Sequence, residues 1–187
     1  MGRILCIANQ KGGVGKTTTA VNLAAGLAKS GARTLLIDLD PQCNATTGLG
    51  HTPTDRHPLV LKKPLRESLL DTATENLRLL PGSRSFQDVE VLARGEQGNA
   101  AVLQQHLAGG MASYDFVLID CPPSLGPLTQ SALAASTEVL MPIQCEYYAL
   151  EGLSQLLGNI ALIEKHLNPT LRVSTILLTM YDSRTNL

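Results

Sequence analysis

The sequence has few aromatic side chains: no Trp, two Phe and four Tyr among 187 residues. Because 44% of the residues are hydrophobic, the chain can bury a sizeable core, and that core must be aliphatic. Neither sign of charge is in excess, since 15 Lys and Arg stand against 16 Asp and Glu. The net charge of −1 gives no overall electrostatic signature of nucleic-acid binding, although it is compatible with a local basic patch.

The sequence also lacks a run of about 18 apolar residues and any signal-peptide pattern, which argues against a membrane-spanning helix and predicts a cytoplasmic protein. Its four cysteines form no C-x-x-C pair, so the spacing of a zinc site is absent. We expect Cys6 and Cys121, which lie in or beside apolar runs, to be small core residues. We expect the four histidines on the surface or in loops: His51, His57, His106 and His166.

Short apolar runs alternate with helical patterns along the chain. This rhythm predicts an α/β fold with a mostly parallel β-sheet and helices on both faces, in three layers. The predicted strands cover residues 4–8, 34–37, 77–80, 116–119, 139–143 and 173–178. The predicted helices cover residues 15–30, 100–107 and 150–166, and the segment 43–64 is expected to mix loop with short helix. We interpret residues 1–187 as a single domain.

A glycine-rich segment, QKGGVGKTT from Gln10 to Thr18, directly follows the first predicted strand. Glycines allow backbone N–H groups to close around phosphate oxygens with no Cβ in the way. In such a loop Lys16 reaches the β- and γ-phosphates, and the Thr17 hydroxyl holds Mg²⁺. The helix that starts near Gly15 adds free N–H groups and its positive dipole end. Strand, glycine-rich turn and helix together predict a P-loop.

This loop departs from the general P-loop pattern, G-x-x-x-x-G-K-[ST], at its first position. Counting back from Gly15, the first glycine should fall where the chain has Gln10. A second lysine, Lys11, stands at the start of the loop and gives the form K-G-G-V-G-K-T-T. That form is narrower than the general motif, and it favours a nucleotide site over a plain glycine-rich turn.

Aspartates follow two of the predicted strands. Asp38 and Asp40 end the segment LLIDLD, and they share a face if the strand persists, because alternate residues of a strand do. Asp120 ends the apolar run FVLID, where a carboxylate can bind Mg²⁺ directly or through water. An aspartate after a strand can also be a helix cap or a turn former. Beside an intact P-loop, we favour a functional interpretation of Asp40 and Asp120.

The segments KGGVGKTT, LLIDLDPQ and VLIDCPPS resemble those of the deviant-Walker ATPases of the ParA/MinD group, which are P-loop NTPases. Two further runs, DPQCNATTGLG and EYYALEGL, resemble the ParA/Soj branch. The resemblance extends over nearly the whole chain and is weakest from His51 to Ala101. Family members usually run on further, so it implies a chain truncated at its C-terminus. The chain opens on its first strand, as in members without an N-terminal DNA-reading extension.

The resemblance also implies roles for individual residues. Lys11 matches the signature lysine that reaches the partner's phosphates across a nucleotide-sandwich dimer, and Gly12 matches a glycine packed closely at that interface. Asp40 matches the residue that orients the attacking water, Asp38 supports the metal shell, and Asp120 matches the Walker B acid. The implied catalytic set is Lys11, Lys16 and Asp40. The implied nucleotide-binding set is Lys11, Gly12, Gly13, Val14, Gly15, Lys16, Thr17, Thr18 and Met180, with Met180 where the adenine pocket begins. The implied metal-binding set is Thr17, Asp38 and Asp120.

The function that the resemblance implies is slow, Mg²⁺-dependent ATP hydrolysis that acts as a timer. ATP-bound protomers would form a sandwich homodimer and would bind DNA non-specifically in the full-length form. A ParB-like partner would stimulate hydrolysis, and the cycle would segregate chromosomes or plasmids. The resemblance places such a protein in the cytoplasm, associated with the nucleoid, with no membrane partner.

Two other functions stay open at this point. A MinD-like membrane-surface switch that positions cell-division machinery needs a C-terminal amphipathic helix, and the sequence stops before one could appear. An electron-transfer ATPase similar to nitrogenase iron protein would have to use Cys43, Cys121 and Cys145 as cluster ligands. The DPQCNAT and EYYALEGL runs favour the ParA-like function, and the cysteine positions do not match the iron-protein pattern. We interpret the basic cluster of Lys62, Lys63 and Arg66 as solvated charge rather than a DNA contact.

Overall fold

The computed structural model describes residues 2–61, 65–85, 87–88, 91, 103–104, 107, 112–146, 149–182 and 184. Within these ranges seven strands form one sheet in the order β3-β4-β2-β5-β1-β6-β7. The strands are β1 (Arg3–Ile7), β2 (Thr34–Asp38), β3 (Leu70–Asp71), β4 (Leu77–Leu80), β5 (Phe116–Asp120), β6 (Glu138–Gln144) and β7 (Arg172–Thr179). The helices with described bounds are α1 (Lys16–Lys29), α2 (Asn44–Gly48), α3 (Leu65–Ser68), α4 (Pro127–Ala135) and α5 (Ala149–His166).

The sheet is parallel except for β3, which pairs antiparallel with β4. Helices cover both of its faces. On one face, Ala20, Ala24 and Ala28 of α1 pack against alternate residues of the central strands. On the other face, α4 and α5 contribute side chains such as Leu133 and Leu156 to a second core cluster. This three-layer α/β/α arrangement confirms the predicted fold class.

The predicted strands and helices agree with the structure to within one residue at each end, apart from the helix predicted over 100–107. Most of that helix lies outside the described residues, as do His106, Lys62, Lys63 and the two tyrosines of the EYYALEGL run. The two-residue strand β3 was not predicted, because a strand of this length carries no readable alternation. Among the helices that the structure describes, none is long and apolar enough to cross a bilayer.

The register of the sheet brings the predicted motifs to one edge. Ile7 of β1 lies beside Asp120 of β5, and Asp120 lies beside Asp38 of β2. The carboxyl ends of these three strands therefore coincide, and the loops that follow them meet at the same edge. In open α/β sheets this edge is the usual position of a ligand crevice.

Candidate functional site

The loop between β1 and α1 has the backbone that its glycines predicted. Gly13 and Gly15 have φ angles of 73° and 91°, in the left-handed region that residues with a Cβ rarely adopt. Gly15 is the N-cap of α1, and no acidic side chain stands in the first turn of the helix. The free N–H groups at this end of α1 are therefore not neutralised by a local carboxylate and can bind an anion.

Lys16, the first residue of α1, is buried although it is a lysine. The residue is 6% exposed to solvent, and its Nζ donates a 3.0 Å hydrogen bond to the Lys11 carbonyl oxygen. Burial lowers the pKa of Lys16, while the nearby carboxylates of Asp120 and Asp40 raise it. An ammonium group held inside the loop by a single carbonyl is placed to bind a phosphate.

Asp120 is fully buried at the end of β5. Neither of its carboxylate oxygens has a partner in full hydrogen-bond geometry within the part of the chain that the structure describes. Burial raises the pKa of Asp120 to about 7; the nearby Thr17 hydroxyl opposes that shift, Asp38 and Asp40 add to it, and the Lys16 ammonium opposes it. A buried carboxylate without a partner costs stability, so its presence indicates a ligand that the protein chain does not supply.

Asp40 lies just beyond β2 and forms part of the wall of a cleft of about 250 Å³. One of its carboxylate oxygens accepts a 2.9 Å hydrogen bond from the Gln42 N–H, which fixes the side chain against its own loop. The residue is 6% exposed and near enough to Lys16 to raise the pKa of that lysine. Asp40 and Lys16 therefore present opposite charges to the same cleft.

Asp38 is fully buried, as Asp120 is, but its carboxylate has hydrogen-bond partners within the protein. Its Oδ2 accepts hydrogen bonds from the Thr46 N–H at 2.8 Å and the Thr46 hydroxyl at 2.6 Å, and its Oδ1 accepts one from the Asp40 N–H at 3.2 Å. Burial raises the pKa of Asp38, and these hydrogen bonds oppose the shift. Both oxygens are thus engaged by the protein, and Asp38 is not part of the cleft wall. Its role in the metal shell stays a prediction.

The structure brings most of the predicted nucleotide-binding residues to one cleft. Gly12, Gly13, Gly15, Lys16, Thr17, Thr18 and Met180 line it together with Asp40. The side chain of Val14 is buried instead, and its carbonyl oxygen accepts a 3.0 Å hydrogen bond from the Thr179 hydroxyl at the end of β7. That contact ties the P-loop to the strand that precedes Met180.

Three residues of the cleft wall were not among the predicted site residues: Gln42, Asn44 and Pro123. All three lie in segments already singled out, DPQCN after β2 and CPPS after β5. The signal that could have found them was position, because loops at the carboxyl edge of a parallel sheet line the crevice.

Lys11 is half-exposed and forms an ion pair with Glu146, with 2.5 Å between Nζ and Oε2. Glu146 also accepts a hydrogen bond from the Gln144 side chain at the end of β6. Sequence reasoning missed this pair, because the two residues are 135 positions apart and the parallel sheet alone brings them together.

His57 lies in a loop, as predicted, but it is buried there rather than exposed. It is 3% exposed, and burial lowers its pKa to about 4. Cys6 and Cys121 are fully buried with their sulfur atoms 3.3 Å apart, which confirms them as core residues. Over the described residues, no group of three or more His, Cys, Asp or Glu side chains is arranged to hold a metal ion.

Comparison with known proteins gives the same family as the motifs. A family model described as an AAA domain matches residues 2–173. The chromosome partitioning protein ParA of Myxococcus xanthus is 50% identical over 192 residues, which cover 100% of this chain and 68% of that protein. The sporulation initiation inhibitor protein Soj of Bacillus subtilis is 48% identical over 192 residues, which cover 100% of this chain and 76% of that protein.

Solved structures agree in fold. A cobyrinic acid a,c-diamide synthase from Mycobacterium smegmatis, with bound ADP and magnesium, is 40% identical with a TM-score of 0.89 and covers 99% of this chain and 77% of its own. A plasmid partition protein from Borrelia burgdorferi is 28% identical with a TM-score of 0.81 and covers 98% of this chain and 81% of its own. The motifs, the sheet and these identities establish that the chain belongs to the ParA/Soj family of partitioning ATPases.

Proposed function

We propose that this chain binds ATP with Mg²⁺ in the cleft at the carboxyl edge of the sheet and hydrolyses it slowly. One observation carries the proposal: Lys16 buries an ammonium, and Asp120 buries a carboxylate that accepts no hydrogen bond of full geometry from the described residues, near enough to each other to interact electrostatically. Their attraction offsets only part of the cost of burying each charge, since burial still lowers the pKa of Lys16 and raises that of Asp120 to about 7. A phosphate would neutralise the first, and a divalent cation would neutralise the second.

The residues present fit magnesium, because Mg²⁺ is usually held by one or two protein oxygens together with phosphates and water. Thr17 and Asp120 would hold it, and the unpartnered oxygens of Asp120 support that assignment. Bound there, magnesium would neutralise negative charge on the phosphates. Asp38 is a weaker candidate, since the Thr46 side chain and two backbone N–H groups occupy its carboxylate.

The chain's own groups would then assist hydrolysis in two ways. The Lys16 ammonium and the N–H groups of the glycine loop bind the phosphate oxygens and stabilise the charge that develops on them. Asp40, held against its loop by the Gln42 N–H, orients the attacking water. No side chain needs to form a covalent intermediate in this scheme.

We further propose that two copies close face to face on the nucleotide. Nothing in the described chain lies within 4 Å of a Cβ built on Gly12, so packing against the described residues of this protomer does not require a glycine there. An approaching partner would supply the close contact. Lys11, half-exposed at the same end of the loop, would then leave Glu146 and reach the partner's phosphates.

The biological role that we propose is segregation of a chromosome or plasmid, as in the ParA and Soj relatives. It would involve a ParB-like partner that stimulates hydrolysis, and non-specific binding to DNA by the longer form on the nucleoid, in the cytoplasm. The names of these relatives favour this role over a MinD-like membrane-surface switch. Residues 1–187 would act as one P-loop ATPase domain within that role.

Calorimetric titration with Mg·ATP tests the nucleotide proposal. The unmodified chain should bind, and Lys16→Ala should lower the affinity by at least about 100-fold, because the buried ammonium is a direct phosphate contact. Lys29→Ala at the exposed end of α1 is the matched control and should bind as the unmodified chain does. Equal affinity of Lys16→Ala and Lys29→Ala would sink the assignment.

Light scattering with a slowly hydrolysed ATP analogue tests the dimer. Gly12→Val should fold, since a Cβ there has no described neighbour within 4 Å, and it should stay monomeric at analogue concentrations at which calorimetry shows its site to be filled, a check needed because Gly12 also lines the cleft. Gly26→Val, which also points into open space but lies on the helix, is the control and should dimerise. If Gly12→Val forms the dimer as readily as the control, no partner packs against this loop.

A further inference from the structure

We infer that Thr46 is a positioning residue for ATP hydrolysis and that it acts through Asp38, which holds the loop carrying Asp40 in place rather than binding the metal. The inference deepens the proposed function and rests on it. Thr46 belongs to the DPQCNATTGLG run and takes no direct part in the proposed binding of nucleotide or magnesium. Thr46 does not line the cleft, and it is fully buried in α2.

The Thr46 hydroxyl both donates and accepts a hydrogen bond. It donates to Asp38 Oδ2 at 2.6 Å and accepts a hydrogen bond from the Gly82 N–H at 2.9 Å. The Thr46 backbone N–H adds a second donor to the same Asp38 oxygen at 2.8 Å. One side chain therefore links the end of β2, the start of α2 and the loop that follows β4.

The fit around this link leaves little space. A Cβ built on Gly82 would lie 3.0 Å from Asp38 Cγ and 3.1 Å from Cys43 Sγ, closer than side chains normally approach. The Gly82 carbonyl oxygen in turn accepts a 2.9 Å hydrogen bond from the Thr54 N–H. Asp38 is thus enclosed by three chain segments, and its carboxylate has little freedom to turn toward the cleft.

A second contact holds the backbone of Asp38. Because His57 Nδ1 accepts the Leu59 N–H at 3.3 Å, its Nε2 carries the proton and donates to the Asp38 carbonyl oxygen at 3.2 Å. Both the side chain and the main chain of Asp38 are therefore fixed from outside β2.

This anchoring reaches the cleft through one hydrogen bond. The other carboxylate oxygen of Asp38, Oδ1, accepts a hydrogen bond from the Asp40 N–H at 3.2 Å, and the Asp40 carboxylate accepts one from the Gln42 N–H. Asp40, Gln42 and Asn44 all line the cleft. Loss of the Thr46 hydroxyl would release Asp38 and let this wall shift, and small displacements of a group that orients water reduce turnover strongly.

The test compares Thr46→Val with Thr46→Ser and with Thr47→Val. Valine matches the shape of threonine and removes the hydroxyl, whereas serine retains the hydroxyl. Thr47 is an exposed neighbour whose hydroxyl, among the described residues, donates to carbonyl oxygens of its own turn. Thr46→Val should lower kcat for Mg·ATP hydrolysis by about tenfold or more while the nucleotide Kd changes by less than about threefold. Thr46→Ser and Thr47→Val should keep kcat close to that of the unmodified chain.

Other results would overturn the inference. Equal kcat for Thr46→Val and Thr47→Val would remove the positioning role. A parallel loss of kcat and nucleotide affinity that Thr46→Ser does not restore would indicate a general structural defect instead. Failure of the unmodified chain to bind Mg·ATP would overturn the proposed function. In that case hydrogen exchange still decides the network, since the Gly82 amide should exchange faster in Thr46→Val than in Thr47→Val.

Asp38→Asn separates positioning from metal binding. If Asp38 acts on the loop, the substitution lowers kcat and leaves the magnesium concentration for half-maximal nucleotide binding within about twofold of the unmodified value. If Asp38 belongs to the metal shell, that concentration rises by about tenfold or more. The second result would overturn the role given to Asp38 here.

Discussion

The two ends of the sheet each bury a carboxylate on a strand beside β1, and their surroundings are opposite. At the amino end, Glu138 has a side chain that is 2% exposed, accepts two hydrogen bonds of 2.7 Å from Arg3 and lies 3.5 Å from Arg172. The hydrogen bond from Arg3 lowers the pKa of Glu138 to about 2. At the carboxyl end, Asp120 is fully buried with no hydrogen-bond partner among the described residues, and burial raises its pKa to about 7.

This difference in partners distinguishes a carboxylate that stabilises the fold, Glu138, from one that is placed to bind a ligand, Asp120. Glu138 ties β6 to β1 and to β7 through two guanidinium groups, so its charge is compensated in the folded chain itself. Asp120 is compensated only in part, by the nearby Lys16 ammonium and Thr17 hydroxyl, and burial still raises its pKa to about 7, so its charge makes the folded chain less stable without a ligand. Natural proteins break the rules of polar satisfaction mostly at functional sites, and the carboxyl end follows that pattern.

Asp120→Asn is expected to show the largest effect, and in two directions. Affinity for Mg·ATP should fall by about 100-fold, close to 2.7 kcal/mol, because the cation loses a carboxylate. The free energy of unfolding without nucleotide should rise by about 1 kcal/mol, because the cost of burying the charge, which raises the pKa of Asp120 to about 7, exceeds the attraction to Lys16 that is lost with it. Calorimetry and urea unfolding measure the two quantities. A variant that loses stability would show that Asp120 supports the fold as Glu138 does.

Sequence patterns identified the carboxyl end of the sheet as the candidate site. They could not show which of its aspartates has hydrogen-bond partners within the protein and which has none of full geometry. Asp38 and Asp120 follow similar apolar runs, occupy the same register position on neighbouring strands and are both fully buried. Only the structure shows that Thr46 donates two hydrogen bonds to Asp38, whereas no described residue donates one of full geometry to Asp120. The partner of Asp38 comes from a short helix in a segment whose pattern is mostly that of a loop, so the sequence carried no signal for the pairing.

The amino end was harder still to predict. The P-loop and the strands could be read from local patterns, because hydrophobic runs, glycine spacing and strand ends are encoded within a few neighbouring residues. The Arg3–Glu138 pair joins residues 135 positions apart and depends on the strand order of the finished sheet. His57 illustrates the same limit, since a histidine in a loop-like sequence is buried only because another segment covers it.

Glu138→Gln should destabilise the fold by about 2 kcal/mol at neutral pH, because the buried side chain at position 138 then presents a neutral amide to the Arg3 guanidinium. Solvent screens this ion pair and keeps its contribution modest, since the Arg3 side chain is 54% exposed. Urea unfolding measures the change, and Glu164→Gln on the exposed side of α5 is the control. Nucleotide affinity should stay within about twofold for both variants, since neither residue is near the cleft.

The loss of stability caused by Glu138→Gln should depend on pH, and that dependence tests whether the ion pair with Arg3 is its source. The pKa of Glu138 in the folded protein, about 2, lies below the value of about 4.3 for an exposed glutamate, so its contribution is complete above the exposed value. The contribution is lost as the pH falls from about 5 toward 2, because the carboxylate is protonated in both states. The gap in unfolding free energy between the unmodified chain and Glu138→Gln should therefore narrow over this range. A gap that stays constant would mean that the ion pair is not its source.

The smallest effect is expected from the ion pair at the opposite end, Lys11 with Glu146. Both side chains are close to half exposed, at 44% and 45%, so water and salt screen their attraction despite the short distance. Glu146→Gln should change the free energy of unfolding by less than about 0.5 kcal/mol, and addition of about 1 M salt should remove even that. Urea unfolding at low and high salt measures it beside Glu138→Gln. If the two substitutions cost the same, burial is not what distinguishes the ends of the sheet, and the absence of a partner at Asp120 loses its significance as a mark of the ligand site.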